Sequence, residues 1–167
     1  MRAKQIVAIA VLLFVAFLVV YPPLASSTVA VVLSPSSSLP VEHLYVTIVE
    51  VSGHRADTAH PSGWSSISNK SVQVDLAAAN SSQLIGLGVV SLGEYDMIRV
   101  RISNATTVAD GMSKGVQLSS GVFTVSVPFL VRLGMQADVL LRVESTLDES
   151  SGSPILDLVF VSTPSES

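Results

Sequence analysis

A chain of 167 residues accommodates one domain and a short leader, and it is too short for two full domains. It contains no cysteine, which excludes disulfides, thiolate metal sites and a lipoprotein anchor built on a modified Cys. With 9 Lys and Arg against 13 Asp and Glu, and only 13% of residues charged, the chain carries no basic field of the kind that holds nucleic acid.

Arg2 and Lys4 precede an unbroken apolar run from Ile6 to Tyr21. Pro22 and Pro23 then end any helix, because neither supplies an N–H and a paired proline also restricts the residue before it. The run corresponds to about 24 Å of helix at the usual rise. That is short of a hydrocarbon core of about 30 Å, a deficit that snorkelling by Lys4 and local bilayer thinning can close. The segment is apolar all round, so it is not an amphipathic surface helix. Residues 1–25 are therefore expected to be an uncleaved signal anchor or a cleaved signal peptide, with an interior helix as the remaining alternative. The candidate cleavage site Pro23-Leu24-Ala25 has Pro where a small flexible residue is usual, which favours the anchor. Basic residues before the run place the N-terminus in the cytoplasm and the remainder outside, or in the secreted state if the leader is removed.

The three asparagines, Asn69, Asn80 and Asn104, each open an N-x-Ser/Thr sequon. In a Ser-rich chain all three match by chance about once in a hundred, so they are candidate glycosylation sites of an exported protein.

Residues 26–40 open the domain with a strand over Val29–Leu33 and a Pro/Ser loop over Ser34–Pro40, and residues 41–163 form its body. Val41–Ser52 reads as a strand, with Leu44, Val46 and Ile48 on one face. Val49 and Val51 continue the apolar pattern in the other phase, so both faces are buried or a bulge falls near Ile48. Gly53–Gly63 is a polar connection and Trp64–Ile67 a short return strand. Val72, Val74 and Leu76 alternate with polar residues, and the Ala-rich stretch Ala77–Leu87 favours a helical turn. Ile98, Val100 and Ile102 oppose Arg99 and Arg101, but Tyr95 and Met97 sit in the wrong phase, which again predicts a bulge. In the strand Val122–Val131, Pro128 predicts an edge position or a bulge. Alternation around Val139 and a last strand through Leu156, Leu158 and Phe160 end the body, leaving 164–167 as a tail. About seven or eight short strands with Gly/Ser/Asp turns predict an all-β antiparallel sandwich, preceded by one N-terminal hydrophobic helix.

Leu44-Tyr45-Val46-Thr47-Ile48-Val49-Glu50-Val51, Gly63-Trp64, Val72-Gln73-Val74-Asp75-Leu76 and Leu92-Gly93-Glu94-Tyr95-Asp96-Met97-Ile98-Arg99 follow one another in a characteristic order. With Pro128-Phe129-Leu130-Val131 and the strand around Val139, they resemble the family of domain of unknown function 4382. Specificity lies in the succession, from about Thr28 to Val161, rather than in any one motif. The resemblance implies a transthyretin-like or immunoglobulin-like sandwich in exported bacterial and archaeal proteins. It implies no reaction and no catalytic residue. Many relatives carry a lipobox Cys, in whose place this chain has its apolar leader.

Among residues with chemistry, His54, Asp57 and His60 lie three apart in one loop and have the donor types for Zn²⁺, with His43 further up the strand. A site built wholly in a loop loses affinity to ordering entropy, so solvated loop residues are the simpler expectation. The turn Asp148–Gly152 offers oxygens to Ca²⁺ but lacks the alternating acidic pattern and a distal Glu. Gly86, Gly88 and Gly93 do not form a phosphate-binding fingerprint, and no G-x-S-x-G elbow is present. Trp64 is a packing residue or a glycan-stacking platform, and Tyr95 after Leu92-Gly93 has the place of a tyrosine-corner residue.

Together these features predict a non-enzymatic, membrane-anchored surface or envelope module that binds or scaffolds, with no cofactor. Its expected contacts are the membrane through the N-terminal helix, and an envelope protein or a glycan through its loops or an edge strand. A pilin-like filament subunit is one alternative. A metal-dependent or hydrolytic exoenzyme using His54, Asp57 and His60 is the other.

Overall fold

A computed structural model describes residues 26–36, 39–78, 81–148 and 154–162. The expected helix within 1–25, the sequon at Asn80 and the tail 164–167 lie outside those residues, as does most of the acidic turn.

The described residues form ten strands and no helix. They are β1 Ser26–Pro35, β2 His43–Arg55, β3 Trp64–Ser68, β4 Val72–Asp75, β5 Gln83–Ser91, β6 Gly93–Ala109, β7 Met112–Leu118, β8 Val122–Val131, β9 Ala137–Asp148 and β10 Ile155–Ser162. Period-two alternation produces them. In β9, Val139, Leu141, Val143 and Ser145 are buried while Asp138, Leu140, Arg142 and Glu144 face solvent. Leu33, Leu44, Ile48, Ile85, Ile98, Leu141 and Leu156 meet in the core, which draws on both halves of the sheet.

The all-β expectation holds, but the purely antiparallel sandwich is corrected. One ten-stranded mixed sheet runs β3-β2-β6-β7-β10-β9-β1-β5, with β4 also on β2 and β8 also on β6. Two of its pairs are parallel, β1 with β9 and β7 with β10. The sheet rolls nearly into a barrel, because its end strands β3 and β5 come together: a Cβ on Gly88 would overlap the carbonyl oxygen of Ile67. Alternation in sequence sets which face of a strand is buried and says nothing about which strand lies beside it, so the parallel neighbours had no local signal.

The expected bulges are present. Register shifts on either side of Ile48 leave Val49 opposite no partner in β6. A second shift falls between Tyr95 and Met97: against β2, where His54 pairs with Met97 and Arg55 with Tyr95, Asp96 is the extra residue, whereas against β8 the two residues Val127 and Pro128 stand opposite it. Pro128 thus falls at the shift, and among the described residues β8 has a ladder only with β6, so its missing N–H costs no pairing. The helical turn expected over Ala77–Leu87 is replaced by a bend and then by β5. Pairing of Gln83–Ser91 with Ser26–Leu33 of β1 outweighs the weak preference of three alanines.

Asp75, at the end of β4, holds the start of β2. It accepts hydrogen bonds from the Leu44 N–H and the Ala77 N–H, each at 3.0 Å, and lies 2.7 Å from His43 Nδ1. Burial pushes its carboxyl up, and the bonds from His43 and the two amides outweigh that, so it titrates below the ordinary 3.8. A carboxyl held below its unfolded-state value stabilises the fold above about pH 4 and gives that up as pH falls through the lowered value. Urea midpoints are expected to drop as pH falls below about 4, and the drop should be shallower in Asp75→Asn. Identical acid slopes for the two proteins would remove Asp75 from this role.

Candidate functional site

The loop between β2 and β3, the turn between β5 and β6 and the loop between β8 and β9 gather at one end of the barrel. Arg55 pairs with Tyr95, and Gly93 with Val131. This end carries most of the residues singled out for chemistry.

His54 is buried on β2. The bulge at Asp96 places that carboxylate 2.7 Å from His54 Nδ1, so Nδ1 carries the hydrogen and Asp96 accepts it. His60, from the loop, stacks on His54 with ring centroids 4.2 Å apart and planes 4° from parallel. Trp64, the first residue of β3, meets His54 edge-on at 5.1 Å, and the Arg99 guanidinium lies over the indole at 4.2 Å. Arg99 Nε also donates to the buried Ser52 hydroxyl. A His60 ring nitrogen lies 3.4 Å from Met97 Sδ. The loop thus folds back onto the sheet as a lid of rings over His54. Gly63, at φ +87°, makes the final approach: a Cβ there would come within 2.7 Å of Thr58 and 3.2 Å of His54 Nε2.

His54 and His60 are therefore brought together as the spacing suggested, but Asp57 is not their partner. Both of its oxygens take Arg55 donors, at 2.9 and 2.7 Å, and the Thr58 hydroxyl donates to it as well. The Arg55 guanidinium pulls the Asp57 carboxyl down to about 2. His43 faces Asp75. Among the described residues no three His, Asp or Glu side chains converge as metal ligands would. His54 Nε2 is sealed from solvent and has no hydrogen-bond partner, so in this arrangement it cannot meet a substrate.

The residue that sequence reasoning missed is Asp96. Its only signal was that Tyr95 and Met97 are out of phase with Ile98, Val100 and Ile102, which marks a bulge without saying which buried group the extra side chain will reach. Asp96→Ala leaves the buried His54 N–H unpaired and is expected to cost about 1–3 kcal/mol in urea unfolding. Asp96→Asn, which retains an acceptor, should recover part of that loss. Wild-type stability in the alanine variant would show that the pair does not hold the loop.

Tyr95 is buried and its hydroxyl donates to the Ser91 carbonyl at 3.1 Å, the tyrosine-corner bond its position suggested. Its ring stacks on Phe129 at 5.0 Å. Beside it a pocket of about 470 Å³ is lined by Pro128, Phe129 and Leu130 together with Glu94 and Asp96. Of the sequons, Asn69 is exposed between β3 and β4, where it accepts a hydrogen bond from Ser66. Asn104 is exposed on β6 opposite Thr47.

A family model described as Domain of unknown function (DUF4382) matches residues 26–145, from the first residue of β1 into β9. No curated protein and no solved structure matches the chain.

Proposed function

Because the chain belongs to the family of domain of unknown function 4382, we propose that it is a membrane-anchored module displayed outside the cytoplasm, with a binding or scaffolding role and no catalysis. The observation that carries this reading is the basic-flanked apolar run Ile6–Tyr21, which ends only five residues before β1 begins at Ser26. The acidic, hydroxyl-rich sheet beyond it suits an aqueous exterior, and its exposed asparagines suit glycan attachment. In this reading the strands on either side of β7 are the two layers of a transthyretin-like or immunoglobulin-like sandwich, closed toward a barrel where β3 meets β5. Loops at the end away from the leader, such as Asp110–Gly111, face outward and are the surface offered to an envelope protein or a glycan.

The test is made on the full chain in cells. Alkaline carbonate should leave it in the membrane pellet, and external protease should digest the β-domain in intact cells. Mass spectrometry of the same material reads the mature N-terminus and any sugar on Asn69, Asn80 or Asn104. Recovery of an unmodified, protease-protected chain in the cytosol would overturn the reading.

A further inference from the structure

Only Pro22, Pro23, Leu24 and Ala25 separate the apolar run from β1. Fully extended, four residues span about 14 Å, so the end of the barrel at Ser26 stays close to wherever that run ends. What else sits at this end is fixed by pairing. Ser26 lies opposite Ser91 in β5, and the Ser27 hydroxyl donates to the Met135 carbonyl at 2.6 Å. The neighbour of the leader is therefore the β8–β9 turn.

That turn has an unusual composition. Met135 N–H bonds back to the Arg132 carbonyl, and Gly134 takes φ +71°, as the third residue of a type II turn must. Turn tips are ordinarily Gly, Pro, Asn, Asp or Ser, which water solvates. Here the tip side chains are Leu133 and Met135, 51% and 58% exposed, with the exposed Arg132 beside them. Leu130 and Val89 add apolar surface on the adjoining strand ends. Nothing in the fold needs these side chains outside, and a Cβ at Gly134 would meet only open space.

We propose that the Arg132–Met135 turn dips into the surface of the anchoring bilayer, a proposal that rests on the anchored reading above. Leu133 and Met135 enter the boundary between headgroups and acyl chains, and Arg132 meets lipid phosphates. The domain then stands end-on at the membrane on two points, the leader and the turn, instead of swinging on a single tether. Glu94 and Asp138 at the same end offset Arg132, so apolar insertion rather than lipid charge carries the contact.

The absence of native cysteine makes the test clean. Leu133→Cys and Met112→Cys are each labelled with an environment-sensitive fluorophore in the full chain. Met112 is 72% exposed at the β6–β7 turn, on the opposite end. The proteins are reconstituted into phosphatidylcholine vesicles with and without nitroxide-bearing lipid, and alkaline flotation is run in parallel. Emission at position 133 is expected to fall about twofold on adding nitroxide lipid, with a change of less than about a tenth at position 112. Equal quenching at the two positions, in a chain that floats with the vesicles, overturns the docking and leaves the anchor standing. A chain that alkali strips from the vesicles overturns both.

Discussion

Gly88→Ala is expected to lower the melting temperature by roughly 10 °C or more, a loss of at least about 3 kcal/mol. The position lies on β5 where β3 crosses it, and the atom an alanine would add falls on the Ile67 carbonyl. The obstacle is backbone, which cannot rotate aside as a side chain tip can. Either β3 moves outward and uncovers the core around Ile67 and Val51, or β5 moves and strains its ladder with β1. Gly86, two residues earlier, is a milder case: its added Cβ would lie 3.2 Å from Val51 Cβ. Gly115 on β7 is the control, since a Cβ there meets nothing within 4 Å. Gly115→Ala should melt with the wild type or slightly above it, because alanine narrows the unfolded ensemble. Thermal unfolding followed by circular dichroism compares the three directly. Coincident curves for Gly88→Ala and Gly115→Ala would mean that β3 and β5 stand apart in solution.

Tyr95→Ala is expected to cost about 3–5 kcal/mol, the range for removing a buried aromatic side chain. The tyrosine fills the space between Gly53, whose Cβ would sit 3.1 Å from its ring, and Phe129, on which it stacks. Its hydroxyl also pins the turn before β6 through the Ser91 carbonyl. Tyr95→Phe separates the two contributions. It keeps the ring and loses the bond, so it should cost about 1 kcal/mol. Denaturant midpoints for the two variants give the division. Should Tyr95→Phe be as damaging as Tyr95→Ala, the corner bond rather than packing would dominate. Burial also pushes the Tyr95 hydroxyl above its ordinary 10.0, which keeps it a donor across the physiological range.

What sequence could show was whatever a strand reports about itself. The phase slips at Val49 and between Met97 and Ile98 were visible because a bulge changes the parity of the residues that follow it. Pro128, which has no N–H, announced a gap in its ladder, and Trp64–Ile67 a short strand. What stayed hidden depends on neighbours. Strand β7, Met-Ser-Lys-Gly-Val-Gln-Leu, buries only Val116 fully and shows almost no alternation, so its role as the link between the two halves of the sheet left no trace. β5 was obscured because its exposed side includes Leu84, Leu87 and Val89, which blur the contrast between its faces. At the candidate site the same limit applied. Spacing brought His54 and His60 to attention, but Asp57 and Asp96 are both plausible partners until the fold shows Arg55 claiming one and the bulge presenting the other.

The parallel ladder between β1 and β9 also dictates a timetable. Synthesis delivers β1 first, yet Ser27 and Met135, joined by one hydrogen bond, are 108 positions apart. Until the ribosome has made β9, the first strand has one flank bare. Such distant closure slows folding and prolongs the interval in which a sticky edge is open to neighbours. Truncated nascent chains ending before Ala137 should therefore need a holding chaperone that the finished polypeptide no longer engages.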